Sequence, residues 1–357
     1  MRRAVKLSLS FITGRKRRQI AALLEAYRAA VNFYIRSLWN ERGQLDKATL
    51  ARLQNTRLSE RYKSQALKQA LEMVSATRKR AQELRARATC PTFTGSAILD
   101  AKFVSIEEGH GRFNLAIRLS TLNKGERITI LTKKTAVFDK WAAWPGSKCI
   151  QGCALSEDHV IIWFAIPDRA TKETGRIIGL DVGINKLMAD SEGHHYGTEF
   201  KKIRDKVKRR RPGSQRRQAA CIERERFINR TVKQLPFGHL RAIGIEDLKN
   251  VKKGKKSGRG KKFRKAVAPW TYRHVLNRIE QHAQENRVLL VRVDPANTSR
   301  TCPVSTCGAV HKENRKGEKF QCLVCGHQAD ADTVGALTIL ARTLETLRSA
   351  ASLMPQN

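Results

Sequence analysis

Four cysteines set the tightest constraint on this chain. Cys302 and Cys307 are separated by four residues, Cys322 and Cys325 by two, and fourteen residues lie between the pairs. Two short thiol loops at that spacing can close on one ion, and four thiolates make the tetrahedral sulfur sphere of a structural Zn²⁺ site. Gly308 and Gly326 follow the two pairs, where the chain has to turn back around the metal. The spacing therefore predicts a zinc ribbon over residues 301–327. His311 and His327 are alternative donors, but four cysteines already complete the sphere. Cys90, Cys149, Cys153 and Cys221 are scattered and read as core residues. Clustered thiols suit a reducing cytoplasm better than a disulfide framework does. The opening MRRAVKLSLSFITGRKRRQ has neither the apolar stretch nor the cleavage site of a signal peptide.

The ribbon interrupts an α/β pattern. RIIGLDVG reads as an apolar strand, KLMADSEGHHYGTEF as a hairpin, and residues 200–234 as a basic helical stretch broken near Pro212 and Gly213. RAIGIEDL is a second apolar strand, 270–287 is helical, VLLVRVDP is a third strand, and a last helix runs from about 331 to 350. With the ribbon removed, the order of elements predicts an RNase H-like α/β domain over residues 173–300 and 328–357. Upstream the period is different. Val5, Leu7 and Leu9 alternate as one strand, and residues 93–167 hold to a period close to two. These predict a small β-barrel from residues 1–10 and 90–172. Between them, Ile20, Leu23, Leu24, Tyr27, Val31, Tyr34 and Leu38 recur at helical spacing, and a second helix runs from Leu58 to Arg87. That helical insert spans 11–89. The fold class expected is thus α+β multidomain.

Two of the strands end in an acid. Asp181 closes RIIGLD and Glu246 closes RAIGIE, so adjacent strands would set the two carboxylates side by side. A third acid should come from a helix packed on that sheet. Asp332, Gly335, Ala336 and Ile339 share one helical face, and the small residues permit close approach. Asp330 is the rival and reads as the N-cap of the same helix. Three converging carboxylates suit Mg²⁺, a hard cation that keeps some of its own waters. They are the donor set of two-metal phosphodiester cleavage.

Charge selects the partner. Lys and Arg number 70 against 32 Asp and Glu, a net charge of +38, which a compact chain retains when a polyanion neutralises it. Along 58–87, Lys63, Lys68, Arg78, Lys79, Arg80, Arg85 and Arg87 have few acids among them and read as a nucleic-acid-facing side. No apolar run approaches the roughly 18 residues of a membrane span, so no membrane partner is expected.

In order along the chain, GLDVGIN, GIEDLKN, VDPANTSRTC, the ribbon and CGHQADADTVGALTIL resemble the TnpB family over residues 146–340. Members of that family are transposon-encoded, RNA-guided nucleases similar to the compact type V CRISPR effectors. The front part resembles the family by its layout, a wedge barrel interrupted by a recognition insert. Carried over by motif, Asp181, Glu246 and Asp332 are the three acids of a RuvC-type site that takes two Mg²⁺ ions, and Cys302, Cys307, Cys322 and Cys325 hold one zinc. The ribbon then corresponds to the target nucleic-acid-binding module. The family usually has two residues between the first cysteines, and an asparagine where Val334 stands. The resemblance implies an RNA-guided DNA endonuclease with a guide RNA and a double-stranded DNA target carrying a short flanking motif. It also implies a prokaryotic cytoplasm, with the protein on the nucleoid when bound to DNA. Base pairing then reads the target sequence. Lys208, Arg209, Arg210 and Arg211, within 201–217, and Lys255, Lys256, Lys261 and Lys262, within 252–265, are the candidate nucleic-acid contacts. Arg300 is a candidate to place a cation by the scissile phosphate. The competing readings are a guided repressor that does not cut, a basic zinc-ribbon RNA-binding protein, and a resolvase or transposase acting without RNA.

Overall fold

The computed structural model describes residues 1–40, 57–84, 87–109, 111–123, 125–248 and 271–352. Lys255, Lys256, Lys261 and Lys262 lie outside them. The chain divides into two compact units, Met1–Asp168 and Arg169–Asn357.

In the first unit, β1 (Arg2–Ser8) buries Val5 and Leu7 and pairs antiparallel with β7 (His159–Ala165). With β6 (Lys148–Leu155) and β2 (Ala97–Leu99) they form a sheet of order β1-β7-β6-β2. Helix α1 (Gly14–Asn40) buries the predicted face, Ile20 through Leu38. It packs on α2 (Glu60–Leu84), where Tyr27 donates a buried hydrogen bond to Gln69 at 2.8 Å. Of the cations assigned to a nucleic-acid-facing side of α2, two serve the fold. Lys63 is buried and paired with Glu60, and Arg78 lies over Trp39 while donating to the carbonyls of Leu38 and Trp39. Lys68, Lys79 and Arg80 are exposed.

The expected barrel does not close. Strands β3 (Val104–Glu108), β4 (Leu115–Ser120) and β5 (Arg127–Thr132) form a separate antiparallel sheet. The reason lies in β6, whose register shifts between Ile150 and Cys153. There the Gln151 side chain, and not a strand backbone, meets β3. It accepts from the Ile106 N–H at 2.7 Å and donates to the Ile106 carbonyl at 3.4 Å. A side-chain amide satisfies those groups without continuing the ladder. The short helix α3 (Ala136–Ala142) buries Phe138 and Trp141.

The second unit is built on a five-stranded sheet of order β10-β9-β8-β11-β12. Strands β8 (Arg176–Asp181), β11 (Leu240–Glu246) and β12 (Leu289–Val293) run parallel, and β9 (Met188–Asp190) and β10 (His195–Tyr196) turn back as the predicted hairpin. Helix α4 (Phe200–Arg209) ends before Pro212 and Gly213, and Ser214 caps α5 (Gln215–Val232). Helix α6 (Tyr272–Glu285) precedes β12.

The last helix, α7 (Ala331–Ser352), lies directly on β8 and β11. Two glycines permit this. Gly179 and Gly244 are register partners on neighbouring strands. A Cβ on Gly179 would stand 2.0 Å from the Ala336 carbonyl, and one on Gly244 would stand 1.9 Å from the Thr343 hydroxyl. Each glycine precedes its strand's terminal acid by two residues, so by strand alternation both acids point toward α7. A fourth, three-stranded sheet, β13 (Arg315–Lys316), β14 (Lys319–Gln321) and β15 (Gln328–Asp330), leads straight into α7. No helix among the described residues is long and apolar enough to cross a membrane.

Candidate active site and metal centre

Asp181 is the last residue of β8 and Glu246 the last of β11. The register Ile245↔Leu180 sets them one step further on, side by side. Asp332 lies in the first turn of α7 and is buried. On the next turn, a Cβ added to Gly335 would come 3.0 Å from Asp181 Oδ2. The structure thus brings three elements and three acids to one end of the parallel strands.

The electrostatics at that place favour a cation. Burial pushes the Asp181 carboxyl well above the carboxylate range, and the charges of Glu246 and then Asp332 push it further. Burial also raises Glu246, against the opposing pull of the hydroxyl of Thr298, which donates to its Oε1. Asp332 is raised by burial and drawn down by Arg315, whose Nη2 is 3.3 Å from Oδ1. Buried carboxylates that repel one another are relieved by a positive ion, and an all-oxygen donor set fits Mg²⁺. Their oxygens do not all come within 4.8 Å of one another, as the ribbon thiols do.

Asp330 caps α7, its Oδ1 accepting from the N–H groups of Asp332 (3.0 Å) and Thr333 (3.3 Å). Arg300 meets the ribbon through its backbone, its carbonyl accepting from Asn314 at 3.0 Å. The guanidinium bonded to one of the three acids is that of Arg315, not Arg300. Arg315 carried no signal in the sequence, being one cation among several in the ribbon. Thr298 could have been found: it opens the TSR segment that joins the third parallel strand to the first cysteine. Lys208, Arg209, Arg210 and Arg211 are all exposed at the end of α4 and just beyond it.

The four ribbon thiols gather as their spacing predicts. Cys302 and Cys325 sulfurs lie 3.5 Å apart, Cys307 and Cys322 sulfurs 3.7 Å apart, and all four are free thiols within 4.8 Å of one another. A disulfide would need about 2.05 Å, whereas Zn–S bonds of ~2.3 Å give tetrahedral edges of ~3.8 Å. Gly308 and Gly326 both take positive φ, 56° and 73°. Backbone N–H groups of Cys325 and Val324 hold the Cys322 thiol below its ordinary range, while burial pushes the neighbouring Cys302 thiol up to about 12. Buried Asn314 clasps the two knuckles, donating to the Arg300 carbonyl and accepting from the Leu323 N–H at 3.1 Å.

Among the remaining cysteines, Cys153 is buried, its thiol pushed up to about 12. Cys90 is exposed, against the core reading, and Cys149 and Cys221 are half-buried. A second group, Asp190, Glu192 and His194, sits on the β9–β10 hairpin. Asp190 is already satisfied by the N–H groups of Glu192 and His194 and by the Tyr196 hydroxyl, so it serves the turn.

Residues 272–339 match the family described as Cas12f1-like, TNB domain. A CRISPR-associated endodeoxyribonuclease Cas12f1 of Sulfoacidibacillus thermotolerans is 31% identical over 106 residues, 29% of this chain and 23% of that protein. The protein of the same name from Syntrophomonas palmitatica is 25% identical over 214 residues, 48% of this chain and 41% of that one. The matched stretches span less than half of either curated relative. Among solved structures, a Cas12f1–sgRNA–target DNA complex shares the fold, with a TM-score of 0.52, 14% identity, and coverage of 91% of this chain and 81% of that one. Residues 272–339 are thus similar to the Cas12f1-like TNB domain, and the fold of the chain is similar to that of a compact Cas12f1 effector.

Proposed function

We propose that this protein is an RNA-guided DNA endonuclease with a single RuvC-type site. One observation carries the reading: Asp181, Glu246 and Asp332 come from two parallel strands and one helix to the same strand ends, beside a four-thiol ribbon. The curated relatives are named endodeoxyribonucleases, and the matching solved structure holds a guide RNA and target DNA. Both partners fit a chain of net charge +38.

In this reading the three carboxylates hold two Mg²⁺ ions. When bound, such ions lower the pKa of coordinated water and stabilise charge on phosphoryl oxygens. Thr298 fixes the orientation of Glu246, and Arg315 holds Asp332 while countering the charge of all three acids. The four cysteines hold one structural zinc. Residues 1–10 with 90–172 act as the wedge and 11–89 as the recognition insert. Residues 173–300 with 328–357 form the nuclease, and 301–327 form the ribbon that engages target DNA. Exposed Lys208 to Arg211 lie against RNA or the heteroduplex. Sequence is read by base pairing, and the protein itself reads only a short flanking duplex motif.

RNA carried through purification tests the guided reading. Protein washed at moderate salt is expected to retain RNA of one common origin when that RNA is sequenced. Heterogeneous RNA that washes off with rising salt would leave only generic polyanion affinity.

A further inference from the structure

Lys186 lies in the loop that follows the first acid, and its ammonium reaches the helix that carries the third. Its Nζ stands 2.6 Å from Asp330 Oδ2, while Oδ1 of the same carboxylate caps α7 at Asp332 and Thr333. The loop itself is tight. The Gly183 N–H donates to the Leu187 carbonyl at 3.1 Å. A Cβ on Gly183 would come 2.6 Å from the Lys186 carbonyl and 3.9 Å from Asp332 Oδ2, so this backbone lies against the third acid. Two further ties pin the loop: Arg204 donates to the Ile184 carbonyl, and Asn185 to Glu318 of the ribbon, each at 2.9 Å. The other side-chain nitrogen near Asp330, Nε2 of His195, is at 4.0 Å. Fully exposed pairs contribute little, but here both partners are shielded, at 19% and 29% side-chain exposure. The acid is also a helix cap.

We infer that Lys186 is a positioning residue for the metal site. By holding Asp330 at the start of α7 it sets the separation of Asp181 and Asp332, and with it the affinity for divalent metal. This rests on the reading of the three acids given above.

The test uses full-length protein with its copurified guide. Lys186→Met keeps the aliphatic stem and removes the ammonium, and Lys186→Arg keeps the charge. Cleavage rates are followed across Mg²⁺ concentration, and Mn²⁺ binding is followed by electron paramagnetic resonance without DNA. Lys186→Met is expected to need about tenfold more Mg²⁺ for half-maximal cleavage and to bind Mn²⁺ about tenfold more weakly. At saturating metal its rate should lie within about twofold of wild type, the split that marks a lost binding contribution. Lys186→Arg should restore both dependences. Asp330→Asn keeps a capping oxygen and should reproduce the shift, adding nothing to Lys186→Met because the two act as one pair. A folded Lys186→Met protein with wild-type Mg²⁺ and Mn²⁺ dependence overturns the inference. So does a lowered maximal rate with no shift in metal dependence. If thermal melting shows that Lys186→Met does not fold, Asp330→Asn decides on the same readouts. Wild-type protein that binds Mn²⁺ but cuts nothing contradicts the nuclease reading alone, and Mn²⁺ binding by the variants still decides the role of Lys186. Wild-type protein that binds no Mn²⁺ overturns both.

Discussion

Asp181→Ala, Glu246→Ala and Asp332→Ala, each loaded with guide, are expected to lose Mg²⁺-dependent cleavage and keep guided DNA binding. Removing one carboxylate takes a ligand from a site whose charge stabilisation is worth several kcal/mol, so the rate should fall by about 10³-fold or more. Binding should survive because base pairing and backbone contacts carry it. The three sites are not equivalent in the fold. Asp332 sits one residue after buried Ala331 and two before buried Val334, in the cluster shared with the ribbon thiols. Asp181 lies under Gly335. Thermal melting of each variant therefore accompanies the rate measurement. A variant that melts as wild type does, binds target and still cuts would remove that acid from the site.

Loss of zinc should have an effect as large. Purified protein is expected to carry about one zinc per chain, and Cys322→Ser should lose it, because a hydroxyl does not replace a thiolate. Structural zinc contributes roughly 10–16 kcal/mol of binding free energy in isolated finger peptides, as much as the whole stability of a domain. The ribbon has little else to hold it. Its apolar core is Phe320 and two of the cysteines themselves, packed on Ala331 and Val334. Those two residues flank Asp332, and Arg315 of β13 bonds it directly. Cys322→Ser is therefore expected to lose cleavage along with metal while the first unit keeps its own folded core. Elemental analysis and hydrogen exchange across 301–334 measure both effects. Zinc-free wild-type protein with a native, protected ribbon would show that the thiols are not a metal site.

Much of the second unit was legible in the sequence because its signals are local. IIGLD and AIGIE each run apolar, glycine, apolar, acid, and that alternation alone puts acid and glycine on one face of each strand. What the pattern did not reveal was the meaning of the glycines. Gly179 and Gly244 matter because they are direct partners across a strand pair though 65 positions apart in sequence, and periodicity within one strand cannot report that. The same holds for Lys186, which meets Asp330 across 144 positions of chain. The first unit misled for a related reason. A period of two predicts strands, but barrel closure depends on which ladders continue, and Gln151 stops one of them. Charge was equally ambiguous: Lys63 and Arg78 look like their exposed neighbours in sequence, yet one is buried and paired with exposed Glu60 and the other stacks on Trp39. Val334, standing where the resembling family carries asparagine, is explained only by the ribbon core it fills.

The most direct test is programmed cutting. RNA recovered with the protein, as expected above, would supply a scaffold whose targeting segment is rewritten to match a chosen site. That site is placed in a plasmid library with randomised flanking sequence and incubated with the protein and Mg²⁺. The account predicts cleavage confined to plasmids that carry the match beside one short flanking motif, dependent on Asp332 and abolished by EDTA. Plasmids bound at the matched site but left intact across all flanks, under Mg²⁺ and Mn²⁺ alike, would contradict it and leave a guided binding protein.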